Sequence, residues 1–217
     1  MSAGVRGVTA FCAVTGCCLC IIACSRHEPP GPADAPASVP STAAASASTG
    51  RITGKVPPPG SGIPVVIVLN PKDSREFPPQ DEMPAMDQVA LTFGPPLLLV
   101  RANQPAEFRN SDDTLHNVHV THEETREPQF NVAIPTGERY TYTFKREGFY
   151  HVGCDIHPAM SAAVFASASP FVALAADDGS FAVEDVPPGD YGMTVYAGAT
   201  RTEREITVTG GDHAIIW

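Results

Sequence analysis

Positive charge is scarce in this sequence: 14 Lys and Arg stand against 24 Asp and Glu in 217 residues, a formal net charge of −10. No Lys/Arg-rich run occurs, so attraction to phosphate backbones or anionic headgroups is not expected, and nucleic acid drops out as a partner. Aromatic residues make up only 7%, although 43% hydrophobic content suits a globular chain. No segment keeps a helical apolar period over three turns, and no apolar run is long enough to span a membrane comfortably. The Cys-x-x-Cys-His pattern of a c-type haem is also missing. What is plentiful is turn chemistry, with 22 Pro and 18 Gly.

Arg6 is the only charged side chain before a mostly apolar run from Val8 to Ile22, which has the length of a secretory hydrophobic region. The run ends in Ile21-Ile22-Ala23-Cys24 and resembles a bacterial lipoprotein signal, in which the Cys is acylated and becomes the new N-terminus. Val14-Thr15-Gly16-Cys17 fits the same pattern, but cleavage there would leave an apolar "CCLCIIA" on the mature chain. The resemblance implies lipidation at Cys24, a periplasmic location and membrane contact through the lipid anchor only. Ser25 after the Cys matches sorting to the outer membrane. Residues 1–23 are then a signal peptide, and residues 24–50 are a Pro/Ala/Ser tether that buries too little to fold. Of the six Cys, those at 12, 17, 18 and 20 leave with the signal and Cys24 is capped. Cys154 is left alone in the folded body. In an oxidising compartment a lone thiol has to be buried or coordinated.

From Arg51 onward, short apolar stretches alternate with turn clusters such as "PPPGSG", "NSDD", "PTGE" and "DDGS". Candidate strands run over 52–56, 65–69, 88–93, 97–101, 106–110, 117–121, 140–144, 148–152, 162–166, 171–175, 181–186, 191–196, 204–208 and 214–217. Short strands at this spacing predict an all-β chain of sandwiches or barrels.

Chemistry concentrates in "HVGCDIHPAMS", residues 151–161, where Cys154, His157 and Met160 follow one another at intervals of three. A strand ending near Gly153 would deliver the Cys, and the short loop would curl His157 and Met160 around the same point. Upstream, in "NSDDTLHNVHV", His116 opens a strand after an Asp-rich turn. A thiolate, two imidazoles and a thioether suit copper cycling between Cu(II) and Cu(I), with Met as a long axial ligand. Zinc would more usually show further Cys or carboxylates and no thioether. A Cys-His nucleophilic pair would lack a third residue to orient His157 and would leave Met160 unexplained. His119 has the opposite strand parity to His116 and is expected to point away. His122, His151 and His213 are expected to be ordinary polar residues, and Met83 and Met86 of "EMPAM" to serve loop packing.

"HNVH" followed by "CDIHPAM" resembles the cupredoxins, the plastocyanin-like blue copper proteins, with a ligand loop closest in length to that of amicyanin. The resemblance spans roughly residues 86–168. It implies one type 1 copper per chain held by His116, Cys154, His157 and Met160, with Asn117 tying the two ligand loops and shielding the thiolate. It further implies one-electron transfer rather than catalysis, with electrons entering through His157 among apolar residues such as Pro158 and Ala159, and Ile134 and Pro135 as weaker candidates. Gly153 stands where the family often places an aromatic or a His before the Cys, a departure that bears on packing around the sulfur. Capture or delivery of copper is the alternative within the binding class. The acidic balance would favour a redox partner protein with a basic docking patch.

The tail "DDGSFAVEDVPPGDYGMTVYAG" is similar to the carboxypeptidase regulatory-like, prealbumin-type sandwich, whose opening strands would be "GRITGKV" and "IPVVIVL". The resemblance implies a split sandwich over 51–71 and 169–217, with the cupredoxin domain, 72–168, inserted in it. The same combination resembles bacterial lipoproteins of the methylamine-utilisation-like type. The expected fold is therefore all-β, a cupredoxin Greek-key sandwich combined with a small prealbumin-like one. Asp177, Asp178 and Asp185 read as turn residues rather than as calcium ligands.

Overall fold

The computed structural model describes residues 48–58, 60, 64–198 and 200–216. The expected signal peptide, Cys24 and nearly all of the tether lie outside those residues. Among them there is no helix; the elements in chain order are β1 (Gly50–Lys55), β2 (Val66–Pro71), β3 (Ala85–Val89), β4 (Thr92–Gly94), β5 (Leu97–Arg101), β6 (Pro105–Asn110), β7 (His116–His122) and β8 (Pro128–Ile134). They continue as β9 (Arg139–Thr143), β10 (Gly148–Gly153), β11 (Ser161–Ser167), β12 (Val172–Leu174), β13 (Ser180–Val186), β14 (Gly189–Ala197), β15 (Thr200–Val208) and β16 (Gly211–Ile216).

These strands form four sheets, ordered β13-β1-β16, β12-β2-β14-β15, β5-β11-β10-β7-β8 and β4-β3-β6-β9. The first two enclose a core built on Ile52, Ile67, Leu69, Phe181, Tyr191 and Met193. The last two enclose a second, built on Met86, Phe108, Val118, Phe144, Tyr150 and Val164. The chain leaves the first sandwich after Pro71 and rejoins it at Val172. At that crossing Leu69 N donates to Phe171 O at 2.9 Å, and the buried Ser169 hydroxyl donates to Leu69 O.

A strand covered on both faces reads as an unbroken apolar run rather than an alternation, and two such runs explain how the sandwiches join. In β2, Ile67 and Leu69 face their own core, while Val66 and Val68 face Leu97, Phe149, Ala163 and Phe165 of the other sandwich. In β11, Ala162, Val164 and Ala166 turn inward, while Ala163 and Phe165 turn toward β2. The four sheets therefore stack in layers. The Phe165 ring lies edge-on to Phe149 and Tyr196, with centroids 4.8 and 4.9 Å away.

Two features depart from the sequence expectation. The strand expected over 88–93 is broken, because Ala90 and Leu91 take left-handed φ values of 50° and 56° in a tight turn between β3 and β4. Asn-Gly is the usual pair there, so no turn residue marks the break. Strand β8 is absent from the expected set. Pro128 opens it at the sheet edge, where proline is tolerated, and Phe130, Val132 and Ile134 alternate inward behind it.

Phe165 is 1% exposed between the two sandwiches. Phe165→Ala is expected to cost about 3 kcal/mol of stability, read as a lower urea midpoint; an unchanged midpoint would show that the stacked sheets contribute nothing to each other.

Candidate metal centre

Strands β7 and β10 are antiparallel neighbours with Gly153 opposite His119. Continued past Gly153, that register lays Cys154 and Asp155 along the start of β7, beside Asn117. The loop then doubles back: Met160 N donates to His157 O at 2.9 Å, and Cys154 N donates to Met160 O at 3.4 Å. Cys154 and Met160 thus face each other at the base of the loop, both within the buried core cluster.

His116 is fully buried, Cys154 is 3% and Met160 2% exposed, and His157 is half-buried. The ligand atoms of His116, Cys154 and His157 lie within 4.8 Å of one another, the one such cluster of His, Cys and carboxylate groups among the described residues. Cys154 Sγ is 3.9 Å from Nδ1 of both rings, and the two Nδ1 atoms are 2.9 Å apart. Met160 belongs to the same buried core cluster as Cys154, so the four residues are placed where they could hold one metal ion. The fit is chemical as well as geometric. A buried thiol with no disulfide partner, two converging imidazole nitrogens and an adjacent thioether form a mixed hard and soft set that copper accepts in both oxidation states.

Asn117 connects the two halves of the site. Its Oδ1 accepts from Asp155 N at 2.7 Å, Ile156 N at 3.2 Å and the Cys154 thiol at 3.3 Å. Its Nδ2 donates to Asn131 Oδ1 and Asp155 Oδ2. Asp155 also meets His119 Nδ1 at 3.0 Å on the outer face, away from Cys154. His119 first and Asn131 next hold the Asp155 carboxyl below its ordinary range.

Nothing in the sequence singles out Asp112. It sits in the "NSDD" turn and reads there as turn chemistry, the only clue being its place four residues before His116. Its carboxylate accepts from Ala90 N at 2.8 Å, Leu91 N at 2.9 Å and His116 Nε2 at 2.9 Å. The Leu91 N–H and then His116 hold this carboxyl below its ordinary range. An ionised carboxylate can only accept, so Nε2 of His116 carries the proton and Nδ1 presents its lone pair to the site.

Gly153 leaves room for a neighbour: a Cβ built on it would meet His151 Nε2 at 3.2 Å. The exposed His151 ring therefore lies over the position where the family often has a side chain. His122 Nδ1 accepts from Thr125 N, and His213 bonds Thr209, so neither reaches the cluster. Met86 is buried in β3 whereas Met83 is 43% exposed. Asp178 caps the backbone and hydroxyl of Ser180 and pairs with Lys55.

Around His157, Pro158, Ala159 and Pro135 are exposed. Ile134 is not: it is 2% exposed because β8 turns it inward, so it is a core residue and not part of a docking face. Leu115 at 47% and Ile156 at 46% are exposed apolar residues that the sequence did not single out, each just before a His of the cluster.

Residues 81–166 match the family described as copper binding proteins, plastocyanin/azurin family. The match contains His116, Cys154, His157 and Met160. Among solved structures, a copper-containing nitrite reductase from Thermus scotoductus SA-01 is 25% identical, covering 45% of this chain and 25% of its own length, with a TM-score of 0.37. The Cu(I) form of an amicyanin point mutant is 21% identical, covering 46% of this chain and 98% of its own, also at 0.37. A purple cupredoxin from Nitrosopumilus maritimus is 22% identical, covering 39% and 99%, at 0.35. The chain thus spans a quarter of the nitrite reductase it resembles. No curated protein matches the chain.

Asn117→Ala would leave two backbone N–H groups and the thiol without their acceptor. A stability loss of about 2 kcal/mol and faster release of bound copper to a chelator are expected; unchanged release would show that the loops are held by other contacts.

Proposed function

We propose that the protein, whose residues 81–166 match the plastocyanin/azurin family of copper binding proteins, is a one-electron carrier of the cell envelope with one type 1 copper per chain. The observation that carries the reading is the convergence of the buried Cys154 sulfur with Nδ1 of His116 and His157. Bound copper supplies a centre that can gain or lose one electron. The protein supplies everything else. Sheet packing keeps water from Cys154 and Met160, and Asn117 and Asp112 hold the loop and the first imidazole in place. Such a fixed arrangement suits both oxidation states, so little reorganisation accompanies a transfer.

The half-buried His157 ring is the port through which electrons pass. Pro158 and Ala159 follow it in the chain and are exposed, as is Ile156 just before it. The location rests on the signal-like first residues, with lipidation at Cys24 and the tether holding the folded part off an outer membrane. The second sandwich, similar to carboxypeptidase regulatory-like modules, would serve as scaffold or partner contact.

Adding Cu(II) is expected to produce a strong visible thiolate-to-copper absorption that Cys154→Ser abolishes. A wild-type protein without that band would sink the carrier reading; a band that vanishes within minutes in a weak chelator would favour copper delivery.

With a net charge of −10 the protein should prefer a basic partner. Electron exchange with hexaammineruthenium(III) is expected to slow several-fold between about 10 and 200 mM salt, while exchange with ferricyanide quickens. Salt responses of the opposite sign would overturn the expected charge of the partner.

A further inference from the structure

Three donors converge on one carboxylate beside the metal centre. Asp112 accepts the backbone N–H groups of Ala90 and Leu91 and the Nε2–H of His116, all at 2.8 to 2.9 Å. Its side chain is 14% exposed and the His116 ring is fully buried, so solvent screens this contact little. The two turn residues that grip it hold left-handed φ values of 50° and 56°, although neither is Gly or Asn. Backbone held in that region persists where surrounding structure over-determines it, often at functional sites. Here the surrounding structure is Asp112 itself.

We infer that Asp112 is a positioning residue that sets the donor strength of His116 and thereby the balance between the two copper oxidation states. This rests on the electron-carrier reading. A carboxylate on the far nitrogen of a metal-bound imidazole fixes its tautomer and raises its basicity. The negative charge also lies one ring away from the metal, so it stabilises the more positive ion. Both effects favour Cu(II) over Cu(I). The turn between β3 and β4 locks the carboxylate in place, so that the ring is held from outside the ligand set by residues that touch no metal.

Three copper-loaded proteins separate this role from loop packing: the wild type, Asp112→Asn, and the double variant Ala90→Asn/Leu91→Gly. Each is equilibrated with ferricyanide and ferrocyanide, and the Cu(II) fraction is read from the thiolate band. Asp112→Asn keeps all four ligands and is expected to keep the band while shifting the equilibrium toward Cu(I) by about tenfold, equivalent to about 59 mV for a one-electron couple. The double variant keeps the carboxylate and its two backbone donors in a turn made of residues suited to it, and is expected to stay within about twofold of the wild type. Asp112→Asn within twofold of the wild type would overturn the inference, as would a double variant that shifts as far as Asp112→Asn. A second measurement needs no variant. In the Zn(II)-loaded wild-type protein the His116 Nε2 proton is expected as a slowly exchanging imidazole NMR signal, and a deprotonated or freely exchanging Nε2 would equally overturn it. Failure of the carrier reading would look different, as absence of the thiolate band in copper-loaded wild type.

Discussion

Asn117 Oδ1 accepts Asp155 N, Ile156 N and the Cys154 thiol, and so binds the start of β7 to the loop that follows β10. Because Asn117 adjoins His116 in the chain, this one acceptor fixes the distance between the upstream imidazole and the downstream thiol, which lie 38 residues apart. The β7–β10 register makes the contact possible, since pairing Gly153 with His119 brings Asp155 level with Asn117. A slip of one residue would send the ligands to opposite faces of the sheet. The site therefore depends on sheet register first and on ligand identity second.

The register in turn is held by burial on both sides of the same sheet. Tyr150, Val152, Val164 and Ala166 pack into the core of their own sandwich, while Phe149, Ala163 and Phe165 pack against β2 and β14 of the other sandwich. A sheet clamped between two apolar layers has little freedom to slide or flex. That rigidity gives the second sandwich a physical part in holding the cluster, although none of the cluster's residues comes from it.

Much of this could be read from the residues. The Cys154, His157 and Met160 spacing, together with His116 opening a strand, pointed to candidate ligands because donor type and interval are local properties of the chain, and folding brings the Cys154, His116 and His157 donors together. The apolar runs at β2 and β11 reported strands. What stayed hidden depends on partners far away in sequence. Asp112 looks like any turn aspartate until folding brings the Ala90–Leu91 turn and the His116 ring to it. That turn was itself unreadable, since Ala and Leu rarely adopt left-handed φ. Strand β8 was masked by its opening proline, and with it the inward direction of Ile134.

X-ray absorption at the copper edge, recorded on the loaded protein before and after reduction, tests this most directly. One short copper–sulfur and two copper–nitrogen distances are expected, nearly unchanged between Cu(II) and Cu(I). A missing sulfur shell, or a coordination number that changes on reduction, would contradict a centre whose geometry the Asn117 tie and the clamped sheet impose.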